Sequence, residues 1–238
     1  MLQSRSTARM ALIACLLSRM GGPTHADPPT EAATALPKDG AWTRYHVVIK
    51  TIDGNHTTEE TAKCTFAFLG QAVHESTACR WIELSMTHDK SETTRVKCLV
   101  REKDLQESER PFEHVLKCQL QGSDGTIIDA DDQTARSVGV HAVFLPGTVK
   151  AARKLDEPQT VKYQQGNLEI ATGSAGRYIL ADGDGTLTAD YSIWMHSDVP
   201  VGFAYAKFKL DSTAAGEELS GSFEYFLEET GIDAKPSF

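Results

Sequence analysis

No segment of this 238-residue chain beyond its N-terminal region approaches the ~20 consecutive apolar residues that a helix needs to cross a bilayer. There is no Cys-x-x-Cys, so neither a zinc knuckle nor a dithiol redox motif is written into it. His-Glu-x-x-His is missing from its eight histidines, and Gly173-Ser174-Ala175-Gly176 falls one residue short of a Gly-x-Ser-x-Gly elbow. Asp182-Gly183-Asp184-Gly185-Thr186 offers alternate acidic oxygens, but an EF-hand starting there needs Gly and Glu where Leu187 and Ile193 stand. A tight turn accounts for it, and Asp129-Asp131-Asp132 is discounted in the same way. Basic residues are in deficit, 24 against 33 acidic. That repels nucleic acid and anionic lipid headgroups. The sequence therefore calls for no enzyme class, no cofactor, no metal and no nucleic-acid partner.

What is present begins at the N-terminus. Arg5 and Arg9 precede the apolar run Met10–Leu17, and Thr24-His25-Ala26 precedes acidic Asp27. Basic, apolar and small-residue regions in that order describe a secretory signal peptide, residues 1–26, cleaved after Ala26. An alternative lies within it. Leu12-Ile13-Ala14-Cys15 fits a lipobox, whose cysteine would carry lipid. Loss of Arg5, Arg9 and Arg19 leaves 24 minus 3, or 21, basic residues against 33 acidic ones, a mature net charge of −12. Export to a bacterial periplasm or cell surface follows, soluble more readily than anchored at Cys15. Residues 27–40, with Pro28, Pro29 and Pro37, read as a disordered spacer. Residues 41–230 then form one domain, and 231–238 a tail.

Hydrophobicity in the domain alternates with period two. Tyr45, Val47 and Ile49 oppose Arg44, His46 and Lys50; Ala62, Cys64, Phe66 and Phe68 oppose Thr61, Lys63 and Thr65. Ile82, Leu84 and Met86 make a third strand and Val96, Cys98 and Val100 a fourth, with turns at Asp53-Gly54-Asn55 and Asp89-Lys90-Ser91. Leu187–Met195, Val201–Leu210 and Leu219–Leu227 repeat the pattern, and Thr160–Tyr163 with Leu168–Ile170 reads as a hairpin around Gln165-Gly166-Asn167. Pro111–Leu120, with Phe112, Val115, Leu116 and Gln119, has helical spacing, and Val149–Leu155 reads as another short helix. Alternation with a polar outer face predicts a mainly β fold, a single curved antiparallel sheet in an open half-barrel, with a few short helices on its concave side.

Exported, antiparallel, with a little helix in mid-chain and the long strand Tyr191–His196 leading into Val199-Pro200-Val201-Gly202, the chain resembles the LolA-like half-barrel superfamily of lipoprotein carriers and related exported bacterial proteins. The resemblance covers most of residues 41–228 and implies an acyl chain or other apolar ligand held in the concave face.

The candidate ligand residues are the strand aromatics Phe66, Phe68, Tyr191, Phe203, Tyr205, Phe223 and Tyr225. They either line a pocket or fill an ordinary core, according to how much of the hollow the helices cover. The first alternative is a binding protein for a lipid or other apolar ligand. The second is an interaction module of the cell envelope with an envelope protein as partner. Cys64, Cys79, Cys98 and Cys118 are an even number for an oxidising compartment; disulfides and buried thiols both fit, and four cysteines allow three pairings. His196 and Asp198 belong to a solvated turn, and Asn55-His56-Thr57, formally a glycosylation sequon, is in a bacterium only a polar hairpin turn.

Overall fold

The alternation in Trp42–Asp53 makes it a strand, β1, with Tyr45, Val47 and Ile49 buried beneath a polar outer row. In the computed structural model the described residues are 36–54, 56–88, 93–107, 115–122, 124–130, 153–182, 185–214 and 217–238. The signal region 1–26, the lipobox at Cys15, residues 27–35 of the spacer, Asn55, Asp131, Asp132, Gly183 and Asp184 lie outside them. From β1 the chain runs through β2 (His56–His74), β3 (Thr77–His88), β4 (Thr93–Arg101), the short helix α1 (Glu102–Glu107), β5 (Val115–Gln121) and β6 (Ile127–Asp129). It continues with β7 (Arg153–Tyr163), β8 (Gly166–Asp182), β9 (Gly185–Met195), β10 (Phe203–Ala214) and β11 (Glu217–Gly231). No helix among the described residues is long and apolar enough to cross a membrane.

Among the described residues eleven strands form one antiparallel sheet, in the order β6-β5-β4-β3-β2-β1-β11-β10-β9-β8-β7. Two meanders are thus fused where the first strand pairs with the last, Trp42 opposite Gly231 and Ile52 opposite Ser220. The sheet is not closed. Tight turns set the register: Glu75 and Ser76, both at positive φ, make a two-residue connection of the kind that matches strand twist. A bulge between Phe68 and Gly70 bends β2, with Gly70 at φ +147 supplying the conformation that a side chain resists.

Two expected helices are corrected. The described part of 111–120 is strand β5, and Arg153–Leu155 opens strand β7. In β5 a register shift opposite Leu99 and Val100 leaves Leu116 bulged and exposed, which brings Val115 and Cys118 to one face. Three residues apart on one face is helical spacing, so the bulge imitated a helix in the sequence. Among the described residues there is one short helix, α1, and its Leu105 packs against the core.

The sheet also covers part of its own inner face. Leu168 and Ile170 of β8 are in the core, and Leu155, Val161 and Tyr163 of β7 pack against it. The turn joining these strands reaches β11, three strands away along the sheet, where Gln164 N–H donates to Glu228 O at 2.8 Å and Gln165 Nε2–H to Thr230 O at 2.7 Å. The end of the expected spacer is ordered too. Pro37 O accepts from the Arg80 guanidinium, Asp39 pairs with the same group at 3.4 Å, and Gly40 N–H donates to Phe68 O. Arg80 is buried, and these oxygens with Glu102 at 3.0 Å engage the two terminal nitrogens of a cation that would otherwise be costly to desolvate, while its Nε has no partner. The tail crosses the outer face of the sheet, Ser237 N–H donating to the buried Glu83 carboxylate and Lys97 Nζ to Phe238 O.

Candidate functional site

Six of the seven candidate aromatics face inward. Phe66, Phe203, Phe223 and Tyr225 are between 1 and 7% exposed, while Phe68 and Tyr191 are half-buried at the margin of the core. The ring of Tyr191 lies over Gly176, where any Cβ would fall 2.7 Å from its hydroxyl. Tyr45, which sequence reasoning left out of the set, is the centre of the cluster. Its ring stacks on Phe203 at 4.4 Å and 4°, and meets Phe66 and Tyr225 edge-on at 6.2 and 6.1 Å. Phe208 meets Tyr225 edge-on at 6.1 Å. Offset and edge-to-face contacts of this kind are favourable beyond the area they bury. The Tyr45 hydroxyl donates to Phe203 O at 2.8 Å, so the one polar atom in this stack is satisfied. Burial pushes the phenols of Tyr45 and Tyr225 and the Cys64 thiol upward, keeping all three neutral.

Tyr205 is the seventh, and it points the other way. Phe203 and Tyr205 share parity, so strict alternation puts them on one face. The register shift at this point inserts Ala204 as an extra residue, turning Phe203 inward and Tyr205 outward. Outside, Tyr205 joins a cross-strand row that the sequence reading did not assemble. Trp194 is 4.5 Å from it, Phe226 5.3 Å on the other side, and His46 lies 6.4 Å beyond Phe226. The clue in the sequence was the buried run Ala204, Ala206, Phe208 and Leu210, whose even parity sets Tyr205 apart. The Tyr205 hydroxyl donates to Glu224 at 3.3 Å, and burial together with that carboxylate pushes its pKa up to about 12. Lys207 Nζ meets the other Glu224 oxygen at 2.7 Å.

His196 Nδ1 accepts from Asp198 N–H at 3.2 Å, a contact within one turn. Asp129 is exposed on β6. Cys98 and Cys118 oppose each other across β4 and β5 with their sulfurs 3.6 Å apart, while Cys64 and Cys79 are buried separately. What this arrangement does chemically is hold apolar groups: the inner face is aromatic and aliphatic, and the Tyr45 hydroxyl within it is internally bonded.

No family model matches the chain, and no curated protein matches it. Among solved structures it is similar to an inferred exported protein with a YmcC-like fold from Bacteroides fragilis, 9% identical, covering 84% of this chain and 100% of that one with a TM-score of 0.34. It is similar to an inferred lipoprotein from Parabacteroides distasonis, 8% identical, covering 85% of this chain and 100% of that one with a TM-score of 0.33. MucB in complex with MucA(peri) is 6% identical over 81% of this chain and 94% of its own, with a TM-score of 0.19. Identity and superposition at these levels transfer no function.

Proposed function

We propose that this chain is an exported, non-enzymatic binding module of the bacterial envelope that meets a protein partner through its sheet surface, its interior being a filled core. The observation that carries the reading is the interlocked cluster of Tyr45, Phe66, Phe203 and Tyr225, each 6% exposed or less. Rings that stack on one another at van der Waals distance are already provided with the contacts a ligand would offer. Export rests on the basic, apolar and Thr24-His25-Ala26 order of the first 26 residues. The non-enzymatic reading rests on the lack of a catalytic motif.

A second reading has its own support. The resemblance to LolA-like carriers implies an apolar or lipid ligand, and the inner face of the C-terminal half is covered by the β7–β8 hairpin, whose tip is held to β11 by the hydrogen bonds of Gln164 and Gln165. Tyr191 of β9 is a half-buried aromatic at that face. Lifting the hairpin would open a site lined by it.

One experiment separates the two. Full-length protein is recovered from an exporting host, its N-terminus sequenced, and its folded, delipidated form titrated with 1-anilinonaphthalene-8-sulfonate. The filled-core reading expects Asp27 as first residue and no saturable probe binding, with Phe203→Leu and Phe223→Leu lowering only the melting temperature. Saturable binding that those substitutions weaken establishes the ligand reading instead. A lipid-modified Cys15 would move the protein to the membrane surface without touching either.

A further inference from the structure

We propose that Cys98 and Cys118 are joined by a disulfide in the mature protein, formed by exchange with a protein disulfide donor. The inference rests on the export reading for its oxidising compartment. Its geometry stands alone.

The two cysteines are direct register partners on β4 and β5, both buried in the core, with Sγ atoms 3.6 Å apart. Opposed residues in an antiparallel pair have Cα atoms about 4.5 to 5.5 Å apart, inside the roughly 4.4 to 6.8 Å that a disulfide spans. No other pairing has this. Cys64 lies on β2 opposite Tyr45 and Met86, separated from Cys98 by the whole of β3. Two strand spacings are about 9.5 Å, beyond the ~7 Å limit. Cys79 has Ala72 and Arg101 as neighbours and, three residues before Ile82 on an unbroken strand, sits on the other face from Cys98. Of the three pairings that four cysteines allow, the sheet leaves one bridge possible and two thiols separate.

The Cys98 thiol donates a hydrogen bond to Cys118 Sγ, which lowers the pKa of Cys118 and makes it the first nucleophile. Its thiolate attacks one sulfur of the donor disulfide, and the other donor sulfur leaves as a thiolate. Cys98 gives its proton to solvent and attacks Cys118 Sγ of the mixed disulfide, and the second donor sulfur leaves. Two protein thiols are oxidised and one donor disulfide is reduced. Among the described residues β5 is flanked on its far side by the three-residue β6, so Cys118 lies close to the sheet edge. The bond would pin β5 to β4 around α1, fixing register where an edge strand slips most easily.

Trypsin makes the test direct. Cleavage at Lys63, Arg80, Lys97, Arg101, Lys117 and Arg136 puts Cys64 and Cys79 in one peptide, residues 64–80, and separates Cys98 (98–101) from Cys118 (118–136). Full-length protein from an exporting host is alkylated without reduction and mapped by mass spectrometry, beside a cytosolic preparation incubated with oxidised and reduced glutathione. The expected result is a linked 98–101/118–136 pair, with 64–80 doubly alkylated, in both samples. Dithiothreitol should abolish the link and lower the melting temperature by several degrees. Alkylation of Cys64, Cys79, Cys98 and Cys118 alike in both samples, or any other pairing among them, overturns the proposal. A link formed in glutathione but missing from a preparation that retains its N-terminal segment counts against export and leaves the pairing standing.

Discussion

Ile193 and Ser192 are adjacent on β9, and the sheet puts them in opposite worlds. Ile193 is 1% exposed, opposite Ala206 on β10 and Ser174 on β8, while Ser192 is half-exposed, opposite Lys207. Replacing each by Asp adds the same carboxylate to the same strand. At 193 the loss of a fully buried Ile forfeits about 2 to 3 kcal/mol of transfer free energy. The carboxyl then has only the buried Ser174 hydroxyl opposite it as a polar neighbour and adds about 2 kcal/mol or more, even after its pKa rises to keep it neutral. A total of about 5 kcal/mol is comparable with the whole stability of a domain, on the order of 5 to 15 kcal/mol. For a chain of this size it corresponds to roughly 10 to 20 °C in melting temperature. Because the folded-state pKa of this introduced carboxyl is raised, its penalty grows as pH rises above the unfolded value near 4 and shrinks toward acid. At 192 the new charge faces Lys207, and the effect stays within about 0.5 kcal/mol. Circular-dichroism melts of Ile193→Asp and Ser192→Asp at two pH values decide it. Equal losses, or a deficit at 193 that deepens toward acid, would refute the assignment of faces on β9.

Two further outcomes follow from the same structure. Tyr45 and Tyr225 are held neutral by burial and Tyr205 is pushed up to about 12, so native protein at about pH 11 should keep these three phenols protonated. Each pKa lies above the unfolded value near 10, so the stability these groups contribute is complete below that value and lost as pH rises through the folded one, giving alkaline unfolding. Phenolate absorbance that titrates all six tyrosines near pH 10 while the fold persists would contradict this. Gly221 allows β11 to approach β1 so closely that a Cβ would sit 2.7 Å from Lys50 O, a backbone atom that cannot swing away. Gly221→Ala should therefore cost about 1 to 3 kcal/mol in urea denaturation, against almost nothing for Ser222→Ala beside it. A neutral Gly221→Ala would mean that the two central strands lie farther apart.

Much of the inner face could be read directly. Period-two alternation named Val47, Ile49, Cys64, Phe66, Ile82, Val96, Ile193, Phe223 and Leu227 as one-sided residues, and all are buried. Reading failed where the backbone departs from strict alternation. The bulge at Ala204 sent Tyr205 outward, and the bulge at Leu116 gave β5 a helical signature. A bulge is one extra residue with no required side chain, so composition hardly marks it.

The amino-acid sequence by itself determined that this protein is built of antiparallel strands with one apolar face, because side-chain direction alternates along an extended backbone whatever the strand pairs with. Only the tertiary structure decided which strands are neighbours. Pairing of Trp42 with Gly231 joins residues from the two ends of the domain, and nothing local encodes it. The same holds for the curl that brings Gln164 to Glu228 and hides the aromatic face, and for the meeting of Cys98 with Cys118. Each is a contact between segments far apart in the chain, selected by the burial that all eleven strands achieve together.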